Sequence, residues 1–148
     1  MGLNRMMFVK RSASSSGGGE PGDNMFLMTM GQQGGQYGYS RYNANIGEVE
    51  GEVYHDGKAV TLVMTCYYGG WLDVAFKVDG VTSGSYNVDL NITPLETGVT
   101  TNVKVGKISY QGATTGFYTY VQRVSTAISS MFSAANVGKK FKIEIVFN

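Results

Sequence analysis

The 148-residue sequence predicts a mainly β protein, an antiparallel β-sandwich or small barrel with one packed α-helix over about 115–136 and an extended N-terminal arm. Three observations point there. From Ile46 onward, apolar and polar residues alternate with the period of a strand that has one wet face. Asp-Gly pairs at Asp56-Gly57 and Asp79-Gly80 punctuate that alternation as tight turns do. Ahead of it, "RSASSSGGGEPGDN" at 11–24 contains almost nothing that can be buried, so nothing offsets the entropy of ordering it.

Taken in order, residues 1–24 form the arm: an apolar-basic head of Met6, Met7, Phe8, Val9, Lys10 and Arg11, then the Ser/Gly linker. Residues 25–45 hold a brief apolar segment, "MFLMTM", which reads as an added strand, and a Gly-rich connector containing Tyr37, Tyr39 and Tyr42. Glycine gives that connector backbone freedom, and tyrosine gives it amphipathic contact area. It reads as a spacer or as a loop that orders against a neighbour.

Residues 46–148 form the β-domain. Val49 and Val53 alternate with Glu48, Glu50 and Glu52, and "YHDGK" turns the chain into a return strand with Val60, Leu62, Met64 and Cys66 on one face. Leu72, Val74, Phe76 and Val78 form the next strand; Tyr86, Val88, Leu90 and Ile92 read as its partner beyond Asp79-Gly80, ended by Pro94. Val103 and Val105 open another strand, and Gly106 marks a bulge because the alternation slips before Ile108 and Tyr110. Val121, Val124, Ile128, Met131, Phe132 and Ala135 follow helical spacing, with Thr114 or Thr115 as the cap and Gly138 at the end. Phe141, Ile143, Ile145 and Phe147 alternate in a closing strand.

Composition narrows the job. Twelve Lys and Arg against eleven Asp and Glu leave a formal charge of +1, so no global field draws nucleic acid or an anionic membrane. The charged fraction of 16% is below the roughly 25% usual in globular domains, so much of the surface is neutral Gly, Ser, Thr, Asn and Tyr. Such a surface suits contact with copies or partners. No apolar run is long enough to span a bilayer, and the stretch behind Arg5 is too short for a signal peptide. Cys66 is the sole cysteine, which excludes an internal disulfide and a thiolate cluster; within "VTLVMTCYY" it reads as a buried small apolar side chain.

Chemistry-bearing patterns are scarce. His55 is the only histidine; it lies in a turn, and no G-x-S-x-G elbow accompanies it, so it reads as an exposed turn residue. No set of residues has the spacing of a catalytic or metal site, and no cofactor is implied; Asp79, Asp89 and Asn91 match no calcium loop. Glu48, Glu50 and Glu52 read as a solvated edge, or else as an interface meeting basic residues such as Lys10, Arg11 or Lys139 and Lys140 of a neighbour. "CYYGGWLD" groups Tyr67, Tyr68 and Trp71. A lone tryptophan usually anchors a core at a strand start; the alternative is a stacking platform for a sugar ring.

The opening "MGLNRMMFVKRSASSSGGG", the Gly/Tyr-rich connector and the neutral β-domain with one helix together resemble small structural proteins of tailed-bacteriophage particles. Tail-tube, head–tail joining, baseplate and capsid-decoration proteins share that style. The resemblance implies a non-enzymatic virion subunit, made in the host cytoplasm. Its partners would be copies of itself and other virion proteins, reached through the arm at Met6–Arg11 and the connector tyrosines. A carbohydrate-binding or adhesin module using the aromatic platform is the alternative.

Overall fold

The computed structural model describes residues 24–41, 45–67 and 70–148. Among them are eleven strands: β1 (Phe26–Thr29), β2 (Gly31–Gln33), β3 (Gln36–Tyr39), β4 (Glu48–Glu50), β5 (Val53–His55), β6 (Lys58–Tyr67), β7 (Trp71–Val78), β8 (Ser85–Pro94), β9 (Thr101–Gln111), β10 (Phe117–Arg123) and β11 (Lys140–Phe147). They form one antiparallel sheet in the order β2-β3-β6-β7-β10-β9-β8-β11-β1-β4, with β5 on β6. The sheet is nearly closed into a barrel, which decides between the sandwich and barrel alternatives.

Closure follows from one continuous segment lying at both ends of that order. Only Met30 separates β1 from β2; β1 pairs with β11 and β4, and β2 pairs with β3. Asn24 adds a side-chain substitute for a ladder rung: Tyr54 N donates to its Oδ1 at 2.7 Å, and its Nδ2 donates to Tyr54 O at 3.1 Å. Where these lanes meet, a Cβ on Gly31 would collide with the backbone of Gly47, and one on Gly47 with the carbonyls of Gly38 and Thr29. Glycine is needed there because main chains touch. Residues 31–39 of the Gly/Tyr-rich stretch are therefore no loose loop: β2 and β3 are a hairpin of the barrel's own sheet.

Period-2 alternation gives the barrel its interior. Leu62, Met64, Leu72, Val74, Phe76, Val88, Leu90, Ile92 and Ile143 are all at most 1% exposed on the inward face. One end is filled by aromatic rings: Tyr118 stacks on Phe76 with centroids 5.1 Å apart and donates its hydroxyl to Ser83 O at 2.6 Å. Residues 124–139 cross the other end and bury Ile128 and Phe132.

Several expected elements differ. The helix exists but is one turn long, α1 (Thr126–Ser129), followed by a 3-10 turn at Ala134–Asn136. Residues 117–123 are strand β10, because Phe117-Tyr118-Thr119-Tyr120-Val121 is a run of strong strand formers and the serines beyond disfavour a longer helix. Thr115 caps no helix; its Oγ1 accepts from Phe117 N at 3.0 Å in the turn before β10. Asp79-Gly80 does not fold β8 onto β7, since β7 pairs with β6 and β10 while β8 pairs with β9 and β11. The strand expected over 46–53 is broken at Gly51, whose φ is +102°, so β4 joins β1 and β5 joins β6.

Other expectations hold. Asp56 and Gly57 both have positive φ, 51° and 74°, between the paired His55 and Lys58. That is the backbone of a type I′ hairpin turn. The bulge sits where the alternation slips: Val88 faces Gly106 and Asp89 faces Lys104, leaving Val105 as the extra residue.

Candidate functional site

The bulge has a consequence for the barrel wall. β9 and β10 are joined by a short turn and pair only at Phe117↔Gln111, Tyr118↔Tyr110 and Thr119↔Ser109. Gly106, at φ +83°, lies just past the last rung and bends β9 away, as bulges do. Beyond that point β9 continues along β8 to Thr101, and β10 continues along β7. Among the described residues, no strand lies against the facing edges of Thr101–Ile108 on β9 and Tyr120–Gln122 on β10.

Tyr120 marks where the two strands diverge, while Val103, Val105 and Ile108 on the facing strand stay buried. Its register partner Val74 points inward and is 1% exposed, yet Tyr120 on the same face is 36% exposed. The next residue, Val121, points outward and is 44% exposed. β10 thus presents apolar side chains on both faces along an edge that no described strand covers.

On the outer face of the same end, register sets out a patch. Tyr67 pairs with Trp71, and Trp71 with Arg123; one step along, Thr65 pairs with Asp73, and Asp73 with Val121. Trp71 is 38% exposed, which corrects the expectation of a core anchor: the residue faces outward from a strand end, and the inner face is filled by Leu72 beside it. The Arg123 guanidinium lies 5.0 Å from the Trp71 ring centroid, a cation–π contact that holds the indole in place. Burial pushes the Asp73 carboxyl above its usual range.

Tyr37 and Tyr67 line one cleft of about 320 Å³ together with Cys66, Gly70 and Phe132. Two groups that are distant in sequence, the connector and the aromatic cluster, therefore meet. The Tyr37 hydroxyl accepts from Gln32 Nε2 at 3.2 Å, and Tyr39 is buried at 8% exposure on the interior face. Tyr42 and Tyr68 lie outside the described residues, as do Met6, Met7, Phe8, Val9, Lys10 and Arg11. Cys66 is buried as expected, and burial pushes its thiol up, away from the reactive thiolate.

His55 is more engaged than an exposed turn residue. Its ring stacks on Phe147 with centroids 3.9 Å apart and meets the edge of Tyr86, which extends the aromatic end of the barrel. Asp56 lies 3.5 Å from its Nε2. The acidic strand finds a cation within its own chain, because Glu50 and Lys140 pair at 3.6 Å across β1. Lys139 pairs with Glu96 at 3.2 Å. Asp89 accepts from Lys104 and Asn91 donates to Glu144, so these two side chains are bonded within the sheet. Among the described residues, no three His, Cys, Asp or Glu side chains gather as metal ligands.

Comparison with protein-family models, with curated proteins and with solved structures finds no significant match.

Proposed function

We propose that the chain is a non-enzymatic structural subunit of a bacteriophage particle, assembling with copies of itself and other virion proteins through its N-terminal segment and its barrel surfaces. The observation that carries this reading is the incomplete wall between β9 and β10. Two strand edges with no strand against them among the described residues flank the inward but part-exposed Tyr120, and such edges are a ready template for pairing with another segment. The neutral surface and the apolar-basic head at Met6–Arg11 point the same way. The test is the solution mass of the full chain by light scattering beside the full-length Phe8→Glu variant. A discrete oligomer that falls to monomer in the variant supports the reading; equal masses that are both monomeric overturn it.

Exposure of Trp71 favours a second reading, a glycan-binding module in which Trp71 and Tyr67 stack on a sugar ring. Trp71→Ala separates the two, since it removes sugar binding in this reading and leaves assembly intact in the first.

A further inference from the structure

We infer that the gap between β9 and β10 is an acceptor groove, filled in the assembled state by Met6–Val9 of a second copy as an added strand. This rests on the assembly reading and names the contact that makes it work.

The acceptor is defined by described residues. An inserted strand would run between two edges that pair with no strand among the described residues, Thr101–Ile108 of β9 and Tyr120–Gln122 of β10. Main-chain hydrogen bonds supply the affinity in this mode of recognition, and alternate side chains supply the selectivity. A wall strand of this barrel ordinarily alternates apolar and polar residues, but the β10 edge presents Tyr120 inward and Val121 outward. Across the gap β9 carries buried Val103 and Val105 inward and exposed Asn102 and Lys104 outward, so an incoming segment must be apolar on its inner face and, beside Val121, at one outer position. Met6-Met7-Phe8-Val9 is such a run, four consecutive apolar residues with Met6 and Phe8 on one face and Met7 and Val9 on the other.

The place where the described chain begins argues for a second copy as donor. Asn24 is fixed to Tyr54 at the head of β1. In the strand order, β11, β8 and β9 separate β1 from the gap on one path, and β3, β6, β7 and β10 separate β2 from it on the other. Donor root and acceptor thus lie on opposite walls. Residues 10–24 can span roughly 50 Å when extended, so the head can reach a neighbouring copy directly instead of wrapping across three or four strands of its own barrel. A donor on one side and an acceptor on the other make a head-to-tail contact, the type that builds rings or filaments.

The experiment uses full-length chains. One variant carries Phe8→Cys and another Val121→Cys; they are mixed and oxidised with copper–phenanthroline, and the products are mapped by peptide mass spectrometry. An 8–121 disulfide between chains is expected. In parallel, Val121→Glu, at an exposed position, should raise the concentration for half-assembly at least tenfold with the circular-dichroism spectrum of the dilute protein unchanged. If Phe8→Glu abolishes assembly while Val121→Glu assembles like the parent, the assembly reading stands and the acceptor is elsewhere. A monomer bearing both cysteines that closes the 8–121 bond within one chain overturns the second-copy donor. A chain that is monomeric throughout removes both readings.

Discussion

Trp71 and Asp73 sit two residues apart on the outer face of β7, and each makes a prediction at the scale of a single side chain. Deleting a buried tryptophan costs about 3–5 kcal/mol. Trp71 is 38% exposed and is held chiefly by its own strand and by Arg123, so Trp71→Ala should cost less than about 2 kcal/mol in urea unfolding. A loss in the buried range would mean that the indole supports the interior after all. Asp73 is destabilising when charged, because burial raises its carboxyl above the ordinary 3.8. The native state therefore binds a proton more tightly than the unfolded chain. Stability from this group is fully present below the unfolded value and falls as pH rises through the folded one. Asp73→Asn should raise the melting temperature at pH 7, and the advantage should vanish below about pH 3.8, measured by circular-dichroism melts across that range. An unchanged melt at pH 7 would show that the carboxylate is adequately solvated.

Elements carry the difference between what the sequence reveals and what it conceals. Strands β7, β8 and β11 were legible because each has one predominantly buried face, so composition alternates along them, and β6 was legible from Val60, Leu62, Met64 and Cys66 although Val63 and Thr65 on its other face are buried too. The Asp56-Gly57 turn was legible because only a short list of residues tolerates positive φ at both positions. Gly106 was legible as a break in period, and its role is testable. At φ +83°, with open space around the site of a Cβ, Gly106→Ala pays only backbone strain, about 1–2 kcal/mol in urea unfolding. A neutral substitution would mean that the bulge relaxes away. By contrast, β10 was hidden because Val121, Val124 and Ile128 fall at helical spacing by coincidence, while inward Tyr118 and Tyr120 obey the strand period. Pairings such as β7 with β10 and β8 with β11 are long-range and leave no local mark. The site was legible only in fragments for the same reason. The aromatic residues were visible as a cluster, but the gap beside Tyr120 arises from a bulge on one strand acting on the exit of another.

At the scale of the whole molecule, the barrel is sealed along β1 and β2 by glycine-to-glycine contact, while among the described residues no strand fills the space where β9 and β10 diverge. A molecule with one sealed wall and one such space gains stability when the space is filled. Anything that binds the native state and not the unfolded chain raises the unfolding free energy by mass action, about 1.4 kcal/mol for each tenfold rise in free partner above the dissociation constant. For a domain of this size, 1 kcal/mol moves the melting temperature by roughly 2–4 °C. If copies fill one another's gaps, the melting temperature of the parent chain should climb by about 3–6 °C per tenfold increase in protein concentration. The Phe8→Glu and Val121→Glu variants should melt at a temperature independent of concentration, close to that of the dilute parent. Scanning calorimetry over two decades of concentration decides the matter. A parent melt that does not move with concentration, although light scattering reports oligomers, would mean that the subunits associate without completing the barrel wall.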